Sequence, residues 1–494
     1  MPDYYSEPFI TLAGLTHKSA IVSWGAFYFR IKNHGEEFKL VDDDDLEDIE
    51  EVVGDQPGKP PRVIHPPRRD TIGATSQTYG PARVEVEDPG GVVTSFVAEP
   101  GRNHCLIHGL RPDTAYTYRV FVNSDGEEEQ WASGPRRNWE RRDGKMGLGP
   151  KRKEYENSFR TFPDPKAPAG GPFTFAVIGD FGVGVKKEKK DRGQRQVAAA
   201  LERAVADHGV RFIITTGDNI YRTGGFLGLP IGGETGDEDD DWYFTYYQPY
   251  RYVINRVPVY PTIGNHDSPE TEGRDDREQL FDNFYVRERA AADEAAGRAS
   301  IGPGLFYRFN FGSDVEFICL DTSKEPTLQD PNFDRRKRLF EHPKHKQFLD
   351  AALPAANGGG PAWRIPFGHH PPFCRGPEYG DTEGMESLVR QFRDAGVRLV
   401  LSGHEHFFQH NRHGGVNYFV TGGAGKLRTD DPDKETASEV RSWAAEYHFL
   451  LITIDGRRAT VRAVAASEGG PLADIPRKNL AGDPVTSPIV VELT

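Results

Sequence analysis

The first third of the chain carries apolar residues at every second position in several short runs. The alternation is clearest in Ala82–Glu87 and Thr117–Val122, and a further run follows at Ser158–Pro163. A period of two is typical of strands that bury one face. We therefore expect an all-β domain over residues 1–165.

The pattern changes after residue 170. Two apolar strands, Phe173–Ile178 and Val210–Thr215, flank the Ala-rich stretch Gln194–Ala206, which is predicted to be a helix. Strands that alternate with helices indicate an α/β domain, which we place at residues 171–494. The Pro- and Gly-rich segment Pro163–Gly171 is the natural linker between the two domains.

Composition excludes several classes of protein. A chain of 494 residues is long enough for two cores, and its formal net charge of -14 argues against nucleic-acid binding through bulk charge. The three cysteines, Cys105, Cys319 and Cys374, provide neither a disulfide framework nor a thiolate metal site. The first residues resemble no secretory leader, and no stretch approaches membrane-spanning length. We expect a cytoplasmic protein, with secretion as the alternative.

Five short motifs begin where predicted strands end, and each places glycine beside a side chain that can bind a metal ion or carry a proton. They are Gly179-Asp180-Phe181-Gly182, Gly217-Asp218-Asn219-Ile220-Tyr221, Gly264-Asn265-His266-Asp267, Gly368-His369-His370-Pro371 and Gly403-His404-Glu405-His406. Ligands bind at this edge of α/β sheets. The oxygen and nitrogen donors suffice for two adjacent metal ions, so the sequence favours a two-metal phosphoesterase.

Each motif alone has an ordinary structural explanation. Gly-Asp at a strand end is a common turn, and most lone histidines are surface or core residues. In extended chain, residues two apart point the same way, so His404 and His406 are expected to reach into one cleft. The combination of this pair with four other motifs is what indicates a metal site.

The five motifs resemble the calcineurin-like metallophosphoesterase superfamily and, within it, the purple acid phosphatases. Most of the superfamily has Asp-x-His in the first motif, whereas this chain has Asp180-Phe181-Gly182. Tyr221, three residues after Asp218, replaces the missing histidine, and this coupled exchange is typical of purple acid phosphatases. The resemblance implies a four-layer α/β/β/α sandwich, with Tyr447–Asp455 and Arg458–Ala465 as late strands of its second sheet.

The N-terminal domain carries a looser resemblance. The string Leu110–Tyr118 resembles the corner before the penultimate strand of fibronectin type III domains, and Ser158–Pro163 looks like the closing strand of the same sandwich. An acidic insertion from Asp42 to Glu51 lies between the early strands and is expected to be a solvated loop.

The resemblance to purple acid phosphatases also implies a ligand set. Asp180, Tyr221 and His406 would hold the first metal, Asn265, His369 and His404 the second, and Asp218 would bridge them. A phenolate suits trivalent iron, so Fe(III) is expected at the Tyr221 site. The second site suits Fe(II), Zn or Mn.

Further residues receive roles in catalysis from the same resemblance. His266 resembles the family's outer-sphere histidine, which contacts the phosphate and protonates the leaving alkoxide, and Asp267 is expected to orient it. Many members place another histidine downstream of the fourth motif, but this chain has none there, which makes Arg375 a candidate for substrate contact. His370 is another candidate, although it is expected to point away from the ligand His369.

We therefore expect an acid phosphatase that hydrolyses phosphomonoesters by attack of a metal-bound hydroxide at a dinuclear centre. A phosphodiesterase is the alternative, because the same two-metal core attacks either ester. A non-catalytic binding protein that acts through the N-terminal sandwich is a third hypothesis, which predicts broken metal motifs. The expected partner is a small phosphate ester rather than nucleic acid or a membrane, and the oligomeric state stays open.

Two charged runs flank the expected site. The basic run Lys186–Arg192 after the first motif either attracts phosphate anions or is a solvated loop. The acidic run Glu234–Asp241 would act against such attraction.

Overall fold

The computed structural model describes residues 3–32, 37–40, 51–53, 62–64, 68–69, 77–124, 127–131, 139–142, 145–148, 157–185, 192–221, 242–271, 277–295, 305–325, 330–331, 333–355 and 359–493. The acidic run at 42–50, the basic run at 186–191 and the acidic run at 234–241 lie outside the described residues. None of the described helices is both long enough and apolar enough to cross a membrane.

The chain forms two compact units. The first comprises Met1–Thr161, Tyr250–Pro258 and Tyr285–Arg289, and the second comprises the remaining residues. The Pro- and Gly-rich segment at 163–171 belongs to the second unit. There the backbone N–H of Ala169 donates to the carboxylate of Asp314, and the N–H of Ser313 donates to the carbonyl of Ala167.

The first unit consists of strands. They are β1 Asp3–Leu15, β2 Ser19–Lys32, β3 Glu37–Leu40, β4 Glu51–Val53, β5 Arg62–Ile64, β6 Arg68–Arg69, β7 Gln77–Thr78, β8 Ala82–Glu87, β9 Val93–Val97, β10 His104–His108, β11 Ala115–Ser124, β12 Glu127–Gln130, β13 Trp139–Arg142, β14 Lys145–Leu148 and β15 Ser158–Arg160. One sheet has the order β1-β2-β10 with β3 on β2, and another has the order β12-β11-β8-β9 with β15 on β11. The pairs β4-β5, β6-β7 and β13-β14 form ribbons.

The corner before β11 has the geometry of a tyrosine corner. The hydroxyl of Tyr116 accepts a hydrogen bond of 2.9 Å from the backbone N–H of Arg111, five residues upstream. The Tyr116 ring also packs on Phe159 of β15, with 5.5 Å between the ring centroids. A tyrosine that ties a strand to the preceding corner is typical of immunoglobulin-like sandwiches. The all-β arrangement and this corner agree with the predicted fibronectin type III-like fold.

The second unit alternates strands with helices. Its strands are β16 Phe173–Ile178, β17 Val210–Thr215, β18 Val259–Tyr260, β19 Tyr307–Phe311, β20 Val315–Cys319, β21 Trp363–Phe367, β22 Leu399–Ser402, β23 Phe408–His413, β24 Val416–Thr421, β25 Glu439–Ala444, β26 His448–Asp455, β27 Arg458–Ala465 and β28 Ile489–Glu492. The described helices all follow β16 in the chain. They are Arg192–His208, Tyr243–Tyr247 (a π-helix), Gln248–Tyr250, Arg277–Asn283, Val286–Ala295, Leu339–Glu341 (a 3₁₀-helix), Pro343–Ala352 and Glu386–Asp394.

Two mixed sheets face each other in this unit. Their orders are β18-β17-β16-β26-β27-β28 and β19-β20-β21-β22-β24-β23-β25. Phe317 of β20 lies between them, with its ring centroid 5.0 Å from that of Phe175 and 4.9 Å from that of Phe212. The helix Arg192–His208 packs on β17 and β26, and two helices around Leu349 and Phe392 cover the other sheet. This is the predicted four-layer α/β/β/α fold.

The predicted place of the late strands was wrong. Strands β26 and β27 do not extend the second sheet, because β26 pairs antiparallel with β16, from Phe173 opposite Ile454 to Val177 opposite Leu450. The run Phe449–Ile452 is almost wholly buried. Such a run suits an interior strand that is covered on both faces. The chain therefore returns from the second sheet to complete the first.

Candidate metal centre

Three of the predicted ligands form one group of donor atoms. The amide oxygen of Asn265 lies 2.8 Å from Nε2 of His369 and 3.0 Å from Nδ1 of His404. The other ring nitrogen of His369 lies 2.8 Å from the backbone carbonyl of Thr216. When Nδ1–H donates to this carbonyl, Nε2 keeps its lone pair directed at the group, which is the usual arrangement of a metal-binding histidine.

A second group of donor atoms surrounds Tyr221. Its hydroxyl lies 3.2 Å from Oδ1 of Asp180 and 3.3 Å from Nε2 of His406. The same two partners lie 3.5 Å from each other. Phenol oxygen, carboxylate and imidazole thus converge on one point.

Asp218 lies between the two groups. Its Oδ1 is 3.4 Å from Nε2 of His369 in one group. A ligand atom of Asp218 also lies within 4.8 Å of ligand atoms of Asp180 and His406 in the other group. Oδ1 of Asp218 accepts a further hydrogen bond, 3.0 Å long, from the backbone N–H of His266. A single carboxylate therefore reaches both sets of donors.

The backbone at the site is strained. Asp180, Asp218 and His404 have φ of 56°, 50° and 73°, in the left-handed region that residues with a side chain rarely adopt. Such outliers concentrate at functional sites because the surrounding structure must hold them. His404 and His406 were expected to lie in extended chain and to point into one cleft. Both reach the centre, but the backbone bends between them, so their side chains belong to different donor groups.

Two glycines are required by close approach to the ligands. A Cβ atom on Gly264 would lie 2.2 Å from Oδ1 of Asp218, and Gly217, with φ of 89°, lies against the ring of His369. Larger residues at these positions would displace the donors. This explains why both motifs begin with glycine.

The electrostatics of the two buried aspartates fit a bound cation. Burial, together with the nearby Asp218 carboxylate, raises the pKa of Asp180 well above its usual range. Burial acts to raise the pKa of Asp218 as well, but neighbouring His369 and His266 lower it below its usual value. Two adjacent buried carboxylates cannot both ionise cheaply without positive charge between them. The donor set of carboxylates, phenol, amide and imidazoles supplies the oxygen and nitrogen ligands that two such ions need.

His266 lies at the edge of the Tyr221 group. Its ring centroid is 4.7 Å from that of Tyr221, and the residue is partly exposed, unlike the fully buried Asp218. A histidine at this boundary can face both the donor atoms and a bound molecule.

Asp267 has a different place from the one expected. Its carboxylate accepts hydrogen bonds from the backbone N–H groups of Asn219, Ile220 and Gly264, at 3.0, 3.2 and 2.7 Å. Among the described residues, its hydrogen bonds do not include the side chain of His266. Asp267 is fully buried. It therefore holds the second and third motif loops together, and its role in orienting His266 stays a prediction.

His370 does not point away from the site. Its ring centroid lies 4.6 Å from that of His404, and one of its nitrogens lies within 4.8 Å of ligand atoms of His369 and His404. Nδ1 is 3.1 Å from the hydroxyl of Thr322, and Nε2 is 3.5 Å from the carboxylate of Glu270. Only 3% of His370 is exposed, so it fits a supporting residue better than a substrate contact.

The loop 373–379, which follows the fourth motif, brings Tyr379 to the donor groups, and the role of Arg375 in substrate contact stays a prediction. The Tyr379 ring stacks on His404, with centroids 4.1 Å apart, and the guanidinium of Arg428 lies 5.0 Å from the Tyr379 ring. Arg375 is fixed through its backbone, which exchanges hydrogen bonds with the Gln409 amide.

The loop after β24 was not predicted from the sequence as part of the site. This loop, Gly422-Gly423-Ala424-Gly425-Lys426, follows a strand as the five motifs do, but it contains no ligand type of its own. It brings Lys426 and Arg428 to the centre. Three glycines directly after a buried strand are the signal that could have found it.

Comparison with known proteins identifies relatives. The calcineurin-like phosphoesterase family matches residues 173–408. Purple acid phosphatase 4 of Arabidopsis thaliana is 25% identical over 297 residues, which cover 57% of this chain and 75% of that protein. Tartrate-resistant acid phosphatase type 5 of Homo sapiens is 27% identical over 320 residues, which cover 59% of this chain and 87% of that protein.

The fold has a solved counterpart. The purple acid phosphatase PPD1 from yellow lupin (Lupinus luteus) seeds matches 95% of this chain and 74% of its own, with a TM-score of 0.56 and 12% sequence identity. At this identity the match establishes the fold alone.

Proposed function

We propose that the chain is a metal-dependent acid phosphatase that hydrolyses phosphomonoesters at a dinuclear centre, because the calcineurin-like phosphoesterase family matches residues 173–408. The observation that carries the proposal is the position of Asp218 between two groups of donor atoms. A carboxylate shared between two adjacent ions is the arrangement of two-metal hydrolases. The relatives named as acid phosphatases support the same reaction class.

We propose one set of ligands for each metal, and the two groups of donor atoms support this assignment. Asp180, Tyr221 and His406 would hold the first ion, Asn265, His369 and His404 the second, and Asp218 both. When bound, the two ions would supply a nucleophilic hydroxide at low pH and neutralise the charge that develops on the phosphate.

The donor types favour different metals at the two sites. The first group offers a phenol oxygen and a carboxylate, hard donors that suit Fe(III). The second offers an amide oxygen and two imidazoles, which suit a divalent ion such as Fe(II), Zn or Mn. Burial of His404 and His406 lowers their pKa well below the usual range, which favours the neutral, metal-binding form of both imidazoles in acid.

His266 is the residue that would handle the leaving group. It is partly exposed beside Tyr221, and its own backbone N–H is fixed on Asp218. From this position its ring would bind a phosphate oxygen and donate a proton to the departing alkoxide. Tyr379, stacked on His404 at the opposite donor group, would border the space that the ester occupies.

The test is the visible spectrum and metal content of the air-exposed protein, with Tyr221→Phe beside it. We expect two metal ions per chain and a broad purple or pink band that Tyr221→Phe abolishes. Tyr418→Phe, which alters another buried tyrosine, is the matched control and should keep the band. A colourless, fully metallated, active protein would refute the iron–tyrosinate site but keep the phosphoesterase.

The substrate class needs its own assay. Hydrolysis of p-nitrophenyl phosphate should exceed hydrolysis of bis-p-nitrophenyl phosphate at acid pH. The reverse ratio would turn the assignment towards a phosphodiesterase. Absence of both activities in a protein with two bound metals would overturn the proposed function.

A further inference from the structure

The loop after β24 is fixed against two of the loops that carry predicted ligands. The backbone N–H of Lys426 donates to the carbonyl of Asp180 at 3.2 Å, and that of Arg428 donates to the carbonyl of His406 at 2.9 Å. A Cβ atom on Gly425 would lie 2.6 Å from the carbonyl oxygen of Phe181. Because only glycine fits there, the loop can lie directly on the first motif. The backbone position of Lys426 is therefore fixed by contacts of its loop with the first and fifth motifs.

The side chain of Lys426 reaches Tyr221. Its ammonium nitrogen lies 3.3 Å from the centroid of the Tyr221 ring. A cation within about 6 Å of a ring centroid is attracted by the electrons of the ring face. The hydroxyl of the same ring lies beside Asp180 and His406. The ring thus has a cation on its face and a predicted metal site at its oxygen.

The charges around the ring single out Lys426. Arg428, two residues later, pairs with Glu405 at 2.7 Å, and its guanidinium lies over the ring of Tyr379 rather than that of Tyr221. Asp180 and Asp218 lie on the oxygen side of Tyr221, and His266 lies beside its ring. Within the part of the chain that the structure describes, the ammonium of Lys426 is thus the cation that lies on the face of the Tyr221 ring.

We propose that Lys426 is a tuning residue of the first metal site, which weakens the electron donation of Tyr221 to the bound ion by placing a positive charge on the face of its ring. The inference rests on the proposed iron–tyrosinate site. A nearby positive charge lowers the energy of the ring electrons and also favours the ion with one more electron. Both effects set the colour and the reduction potential of the site, which a protein controls through groups around a ligand.

The decisive variant is Lys426→Met in the iron-loaded protein. Methionine keeps an unbranched side chain but removes the charge. We expect the visible band to move to longer wavelength, because the electrons of Tyr221 rise in energy more than those of the more distant ion. We also expect the reduction potential of the ferric site to fall, because no positive charge then favours the reduced ion.

Two further variants separate charge from structure. Lys426→Arg restores a positive charge at the ring and should return both quantities towards the wild-type values. Lys434→Met removes an exposed lysine that pairs with Asp433 at 3.7 Å and should change neither. If Lys426→Met acted by changing the structure of the loop rather than by removing charge, Lys426→Arg would not restore the wild-type values.

The outcomes distinguish this inference from the proposed function. If the wild type with bound iron has no band that depends on Tyr221, the proposed iron–tyrosinate site fails. If that band exists but Lys426→Met leaves its wavelength and the potential unchanged, the tuning role fails alone. A rise in KM with an unchanged spectrum would also overturn it, and would assign the lysine to substrate binding.

Discussion

The carboxylate of Glu405 accepts a hydrogen bond from the guanidinium of Arg428, with Nη1 2.7 Å from Oε1. Its other oxygen accepts the backbone N–H of Tyr379 at 2.8 Å. Glu405 is fully buried and stands between the predicted ligands His404 and His406. One carboxylate therefore joins the fifth motif to the loop 373–379 and to the loop after β24.

Replacement of Glu405 by glutamine should destabilise the protein clearly. The amide keeps one acceptor but removes the buried negative charge that faces Arg428, whose side chain is half-buried. Breaking a buried ion pair costs about 3 kcal/mol, which a urea titration reports as a lower midpoint. The matched control is Glu439→Gln, in an exposed pair with Arg441, where a cost below about 1 kcal/mol is expected. Equal costs for both variants would contradict a stabilising role of the buried pair.

Asp267→Asn tests whether this residue holds loops or orients His266. The asparagine amide presents a donor where the carboxylate accepted backbone N–H groups. Each buried donor that loses its partner costs about 1–3 kcal/mol, so we expect a lower urea midpoint and fewer metals per chain. Turnover per bound metal pair should be kept, because the histidine does not depend on this carboxylate.

The alternative for Asp267 has an opposite signature. An orienting residue would leave the urea midpoint and the metal content unchanged but lower turnover and alter its pH profile. Asp430→Asn, at an exposed position, controls for the loss of one negative charge. The two readouts together decide between the roles.

The motifs could be predicted because their positions depend on local sequence. Strands β16 and β17 have the predicted bounds, since each is a short apolar run that is followed by glycine or threonine. A strand end fixes the residues that follow it at the edge of a sheet, so Asp180 and Asp218, which follow the parallel neighbours β16 and β17, come to the same region. Ligand types at such ends are visible without any knowledge of the tertiary fold.

Partners that are distant in sequence could not be predicted. The pairing of β26 with β16 joins residues nearly 280 positions apart, as in Thr174 opposite Thr453. The sequence of an apolar run does not indicate which other strand it will pair with. The bonds of Asp267 go to backbone N–H groups, which every residue but proline has. The approach of Lys426 to Tyr221 likewise depends on where one loop lies on another.

His369 and His370 offer a comparison of two adjacent residues of the same type. His369 contacts Asn265 and Asp218, whereas both nitrogens of His370 have other neighbours, Thr322 and Glu270. We expect His369→Gln to bind one metal per chain and His370→Gln to bind two, as measured by elemental analysis at saturating metal. Loss of the second ion in both variants would make His370 a ligand as well.

Acid should destabilise the fold through His345, which lies in the helix Pro343–Ala352, away from the donor groups. The residue is fully buried, and its ring stacks on Phe306 with 4.2 Å between centroids. Burial, helped by the nearby His342, lowers the pKa of His345 from 6.5 to about 3. Between pH 6.5 and about pH 3 this histidine is protonated in the unfolded chain but not in the folded chain. The free energy of unfolding therefore falls as pH falls.

The size of this effect follows from the shift. From pH 6.5 to pH 5 the wild type should lose about 1–2 kcal/mol through this one histidine, because the slope approaches about 1.4 kcal/mol per pH unit once the unfolded histidine is mostly protonated. His345→Leu cannot bind a proton, so its urea midpoint should fall less over the same interval, whatever its stability at neutral pH. His208→Gln, at an exposed position, should follow the wild type. Parallel losses in the wild type and in His345→Leu would show that acid acts elsewhere, since the burial of this imidazole would then carry no penalty for protonation.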